Sequence, residues 1–161
     1  MMPATAYDIV VVGSGPAGQK AAIQGAKAGK KVVLIEQEPG IGGNCVYRGT
    51  IPSKTLRETA VQFERLKRSS EVFEGKMRID VPMSVLLHRL DEVVKAHECY
   101  MASQLTRNGV TYRHGRARLL SPREVQLETV DGACQTLTAE TIVLATGSRP
   151  SSIPEIPVDH E

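Results

Sequence analysis

Tyr7-Asp8-Ile9-Val10-Val11-Val12-Gly13-Ser14-Gly15-Pro16-Ala17-Gly18 begins the stretch that decides the fold, and an Ala-rich segment carries it on to Val32-Val33-Leu34-Ile35-Glu36. An apolar run, a glycine turn, a helically spaced segment and a second apolar run predict a strand, a tight turn, a helix and a parallel strand. The spacing assigns each glycine a task. Gly13 permits the sharp turn, Gly15 lets backbone approach a pyrophosphate, and Gly18 lets the helix pack closely on the strand. Ser14, Pro16 and Ala17 complete the loop, and the free N–H groups and positive end of the following helix face the phosphates. Glu36, with Gln37 beside it, lies eighteen residues beyond Gly18. A carboxylate there accepts hydrogen bonds from a ribose and repels a 2′-phosphate, so the expected ligand carries an unphosphorylated adenosine ribose. A flexible loop produces the same glycine letters, but not the strand before, the helix after and the acid at this distance. The motif leaves NAD and FAD both open.

With 161 residues the chain suits one domain with a sizeable core, and 41% hydrophobic and 24% charged residues are ordinary for a globular protein. A formal net charge of +2 points to no nucleic-acid partner. No apolar run approaches the ~18 residues a membrane span needs, and the N-terminus lacks a basic-then-apolar leader. A cytoplasmic protein without membrane contact is expected. Cys45, Cys99 and Cys134 are an odd number at wide spacing, which argues against a disulfide framework. His88, His97 and Cys99 have no second pair at ligand spacing, so no metal site is expected.

Beyond Glu36 the run Gly42-Gly43-Asn44-Cys45-Val46-Tyr47-Arg48-Gly49-Thr50-Ile51-Pro52-Ser53-Lys54 is glycine-rich and passes into a helical pattern through Thr55, Leu56, Ala60, Phe63 and Leu66. It closely resembles the G-G-x-C-x-x-x-G-C-I-P-S-K signature of the flavoprotein disulfide reductases, the pyridine nucleotide-disulfide oxidoreductase family. One departure matters: Thr50 stands where the family has its second redox cysteine. Cys45 with Thr50 and Ile-Pro-Ser-Lys resembles the soluble pyridine nucleotide transhydrogenase branch, which needs no redox disulfide. The resemblance implies FAD, with NAD(P)H as substrate of a full-length parent. It places the isoalloxazine near Cys45, Thr50 and Lys54, and the cofactor along Gly42, Gly43, Asn44 and Gly49. It also implies that the Lys54 cation lies near flavin N5, where it would stabilise negative charge on the reduced ring. Cys45 is open to two readings, a redox thiol or an inert buried one.

Residues 65–80 are polar and suit a connection. Pro82 sits near a helix start, and Leu86, Leu90, Val93, Val94, His97, Met101 and Leu105 form an apolar stripe ending at Asn108-Gly109. A core face explains the stripe most simply, with a dimer contact as the alternative, and the resemblance implies a homodimeric parent. Val110–Arg113 reads as the next parallel strand. His114–Leu119 resembles the family segment whose backbone touches adenine, which makes Gly115 and Ala117 candidates. Arg113, Arg116, Arg118 and Arg123 alternate with apolar residues as an outward, solvated strand face would. Val125–Val130, the Asp131-Gly132 turn and the return from Cys134 predict a small antiparallel appendage. Thr141–Leu144 reads as a buried strand, and Ala145-Thr146-Gly147-Ser148 resembles the family segment that lies against FAD.

The expected fold is therefore α/β, a Rossmann-like FAD-binding domain over 1–150 with a parallel sheet and the antiparallel appendage. Residues 151–161 contain Pro154 and Pro157 and suit a linker toward an NAD(P)-binding domain. The resemblance covers about the first third of a family member, so the chain is expected to be the FAD-binding portion of a transhydrogenase. Two alternatives stand beside it: a reductase like dihydrolipoamide dehydrogenase or mercuric reductase with another acceptor, and a flavin-binding fragment without turnover.

Overall fold

A computed structural model describes residues 5–72, 81–149, 151 and 153. Strand β1 (Thr5–Val12) lies between β2 (Val32–Glu36) and β5 (Cys134–Leu144), and pairs with both in parallel. Strand β3 (Thr111–Ser121) continues the parallel layer beyond β2, through Val33↔Thr111 to Glu36↔His114. From Gly115 onward β3 pairs antiparallel with β4 (Glu124–Thr129), and β4 pairs antiparallel with the beginning of β5. The turn between β4 and β5 holds Gly132 at a φ of 83°, as the Asp131-Gly132 signal predicts.

The antiparallel part is thus not an appendage. β3 and β5 are each 11 residues long and belong to both layers, so the ring of pairings β1-β2-β3-β4-β5 closes. The sequence conceals this because no local pattern marks the change of partner, which falls at His114-Gly115 in β3 and at Leu137-Thr138 in β5. A second correction concerns Thr141–Leu144. This end of β5 pairs with β1 alone among the described strands and is half-buried to exposed, with Leu144 60% accessible.

The unbroken apolar runs of β1 and β2 follow from burial on both faces. Val11, Val32 and Leu34 pack on one face against Ala22, Met101 and Leu105. Val10, Val33 and Ile35 pack on the other against Val125, Leu127 and Leu137. Each such side chain contributes about 1.5–3 kcal/mol when withdrawn from water.

Helix α1 (Pro16–Lys27) starts with proline, whose missing N–H costs nothing at that position, and no side chain caps its N-terminus. Helix α2 (Gly43–Tyr47) is a single short turn within what the sequence presents as loop. Helix α3 (Thr50–Val72) runs further than the helical pattern to Leu66 suggests, so the expected connection over 65–80 is helical at its start. Its remainder, residues 73–80, lies outside the described residues, as does most of the expected linker over 151–161. Helix α4 (Met83–Arg107) ends where Asn108-Gly109 predicts, with Gly109 at a φ of 71°. Its stripe is buried only toward that end, at Met101 and Leu105. His97, expected on the stripe, is exposed.

Candidate functional site

The carboxyl ends of the parallel strands meet the start of α1 and the short α2 around a cleft of about 720 Å³, within the ~300–1,000 Å³ usual for ligand sites. Gly13, Ser14, Gly15 and Pro16 form one wall, Glu36 and Gln37 a second, and Gly43, Asn44 and Cys45 a third. Gly115, Ala117, Ala145, Thr146, Gly147 and Ser148 complete it. Asn44 Nδ2 donates to the Ser148 carbonyl at 3.2 Å, joining α2 to the segment after β5.

The glycines of the first turn separate into two kinds. A Cβ on Gly13 would sit 2.3 Å from the Ala145 carbonyl oxygen, and one on Gly18 would sit 1.9 Å from that of Gly13. Both are required by the protein's own packing. A Cβ on Gly15 would meet no atom within 4 Å, and Gly15 has an ordinary φ of −63°. Nothing in the polypeptide calls for glycine there, whereas a phosphate group seated against the uncapped start of α1 does. The residues present therefore fit a dinucleotide.

Glu36 is only 6% accessible. The Ser14 N–H and the Ser14 hydroxyl both donate to its Oε2, at 2.7 and 2.6 Å, and the Glu38 N–H donates to Oε1 at 2.9 Å. Burial pushes its pKa up, but hydrogen bonds from Glu38, from the Ser14 hydroxyl and from the Ser14 and Gln37 amides outweigh burial, and the net position is below 4.5. Glu36 is thus an anion at neutral pH. Oε1 takes one of these bonds and retains capacity to accept from a ribose hydroxyl.

The flavin-side candidates are placed differently. Cys45 is half-buried and lines the cleft, whereas Gly49, Thr50 and Lys54 are exposed at the beginning of α3 and outside its lining. Ala17 is exposed on α1, and Gly18 and Gly42 are buried behind the cleft wall. Val12, Ile35, Glu38, Arg48, Arg116 and Arg149 line the cleft without having been singled out by motif. Arg116 is the instructive one. It lies between Gly115 and Ala117, both of them candidates, yet strand alternation assigns it to a solvated face with Arg113, Arg118 and Arg123. All four are exposed, but Arg116 also borders the cleft because β3 changes layer at Gly115. Arg48 pairs with Glu38 at 3.8 Å on the rim, an exposed contact of little energetic weight.

Among the described residues no helix is long and apolar enough to cross a membrane, and no group of three or more His, Cys, Asp or Glu is placed to hold a metal ion.

The sequence model of the family described as pyridine nucleotide-disulphide oxidoreductase matches residues 7–160. Soluble pyridine nucleotide transhydrogenases of Mycobacterium bovis and Mycobacterium tuberculosis are 39% identical to the chain over 160 residues, 96% of the chain and 34% of the relative. Dihydrolipoyl dehydrogenase 1 of Arabidopsis thaliana mitochondria is 34% identical over 155 residues, 96% of the chain and 31% of the relative. Among solved structures, the HOCl-induced flavoprotein disulfide reductase RclA of Escherichia coli matches 92% of the chain and 30% of its own, with a TM-score of 0.73 and 26% identity. The chain spans about a third of the length of these relatives. With a glycine turn, an acid-ended second strand and a cleft at the strand ends in place, the match over nearly its whole length shows that this chain belongs to the pyridine nucleotide-disulphide oxidoreductase family of flavoproteins.

Proposed function

We propose that the chain is the FAD-binding portion of an oxidoreductase that passes hydride between NADPH and NAD, a soluble NAD(P) transhydrogenase. Bound FAD would supply the two-electron relay between the two nicotinamides. The polypeptide's own work is to bind and orient. The start of α1 and Gly15 receive the pyrophosphate, Glu36 accepts from the adenosine ribose, and Gly115 and Ala117 border the adenine end. Asn44, Cys45 and the Ala145–Ser148 segment lie along the path toward the flavin, and Lys54 supplies a cation at its far end.

One observation carries the choice of transhydrogenase over disulfide reductase: residue 50, which opens α3, is threonine. A dithiol relay needs two sulfurs within bonding reach, one to exchange with substrate and one to pass electrons on, and a hydroxyl does neither. Cys99 on α4 and Cys134 on β5 are exposed and free, and neither shares an element with Cys45 on α2. The relatives named as transhydrogenases support the same choice.

The test uses a protein that carries this chain at the full length of its relatives. NADPH should reduce an NAD analogue through it, and lipoamide or glutathione disulfide should not be reduced. Cys45→Ser should leave transfer between nicotinamides largely intact. If Cys45→Ser abolishes transfer while FAD stays bound, a thiol is required and the disulfide-reductase reading replaces this one.

A further inference from the structure

Ser14 occupies a variable place in the glycine turn, yet every polar group it has is engaged. It is fully buried. Its N–H and hydroxyl donate to Glu36 Oε2 at 2.7 and 2.6 Å, and the same hydroxyl oxygen accepts from the Gly42 N–H at 3.0 Å. Its carbonyl accepts from Gln19 Nε2 at 2.7 Å, and that amide also lies 3.0 Å from the Met101 sulfur on α4. Four separate pieces of the chain meet at this one residue: the first turn, the end of β2, the start of the α2 segment and the body of α1.

We propose that Ser14 is a positioning residue whose hydroxyl, donating to Glu36 and accepting from Gly42, holds the ribose-reading carboxylate and the entry to α2 in one fixed relation. Because Gly42 immediately precedes the turn that carries Gly43, Asn44 and Cys45, this hydroxyl connects the adenosine end of the cleft to the wall leading toward the flavin. Without it, Oε2 keeps the Ser14 N–H alone, and the buried Gly42 N–H has no acceptor. A buried carboxylate that loses a donor is harder to ionise, and a buried amide that loses its acceptor opens more readily.

Other charges around Glu36 act on the same carboxylate and are left unchanged by a substitution at Ser14. Glu38 with its partner Arg48 lies on the loop after β2, and His114, opposite Glu36 in the β3 register, approaches the Gln37 carbonyl at 3.3 Å. Arg116 on β3 borders the cleft. Tyr112 on β3 and Tyr47 on α2 both feel Glu36 and Glu98, and burial first and then these charges keep both phenols protonated, Tyr47 with a pKa pushed up to about 12. None of these groups bonds to the Ser14 hydroxyl, whose partners are Glu36 and Gly42, so a change in Glu36 titration in Ser14→Ala starts from the lost hydroxyl.

The inference rests on the FAD reading for its meaning, but its first test needs no cofactor. Carbon-13 NMR of the Glu36 carboxyl in the 161-residue chain should show the Ser14→Ala titration midpoint above that of the wild type. The Gly42 amide should exchange between about two- and ten-fold faster. Ser14→Thr, which keeps the hydroxyl, should restore slow exchange. Unchanged Glu36 titration together with unchanged Gly42 exchange in Ser14→Ala overturns the proposal. Should Ser14→Ala not fold, the wild type decides: a Gly42 amide exchanging as fast as an unprotected peptide overturns it, and a protected one supports it. FAD titration then separates the two claims. Ser14→Ala should bind FAD about ten-fold more weakly. A wild type that binds no FAD contradicts the function and leaves the NMR result to judge Ser14.

Discussion

The two ends of the candidate site are built to different standards. At the end proposed to take the adenosine, Ser14 and Glu36 are buried, joined by bonds of 2.6 and 2.7 Å and backed by the double-faced core of β1 and β2. At the end proposed to face the flavin, Gly49, Thr50 and Lys54 sit on an exposed helix start, and the Ser53 hydroxyl reaches no further than the Thr50 carbonyl, to which it donates at 3.2 Å. The difference teaches where positional precision comes from. A group locked by neighbours in the same core is preorganised by folding, whereas an exposed side chain acquires its place from whatever it later meets.

The comparison breaks most visibly if the adenosine end tolerates bulk. Gly18→Ala would place its Cβ against the Gly13 carbonyl, backbone that cannot yield cheaply, so a loss above about 3 kcal/mol is expected. Chemical denaturation with circular dichroism reads it. A wild-type midpoint would mean that α1 does not pack on the turn as described. Next in size is Glu36→Gln, which keeps the shape and removes the charge. It should weaken FAD by roughly ten- to hundred-fold, as expected for charge-assisted hydrogen bonds worth about 1.5–3 kcal/mol. Equal affinity by fluorescence titration would take Glu36 out of the site. The smallest effects belong to the other end. Thr50→Ala and Lys54→Ala should each change stability by less than about 0.5 kcal/mol, as exposed positions do. A larger loss for either, seen in the same denaturation curves, would erase the contrast between the two ends.

How much of this was legible depended on whether the determining contact is local in sequence. The turn, both central strands, the start of α1 and the end of α4 follow from glycine placement and apolar runs, because those signals act within a few residues. The helical start of 65–80 escapes a local reading because Arg65, Lys67 and Arg68 suit a polar connection, while Arg68 pairs with Glu64 one turn back at 3.2 Å. The closing of the sheet was missed because it depends on β3 and β5 each changing partners midway, which no local pattern encodes. Within the site, Glu36 was legible as an acid at the right distance. Its tie to Ser14, 22 positions away, was not, since one turn position in the motif accepts many residues. Alternation misplaces Arg116, because it describes a strand with one partner throughout and β3 has two in succession.

Gly15→Ala tests the central claim most directly, since it separates what the polypeptide needs from what a phosphate needs. The new methyl meets no protein atom within 4 Å, so stability should change by no more than about 1 kcal/mol. FAD titration of the same protein should show binding weakened at least about ten-fold, the methyl having taken space meant for the pyrophosphate. Wild-type affinity in a normally folded Gly15→Ala chain would contradict the account, because the cleft beside α1 would then not be where the phosphates lie.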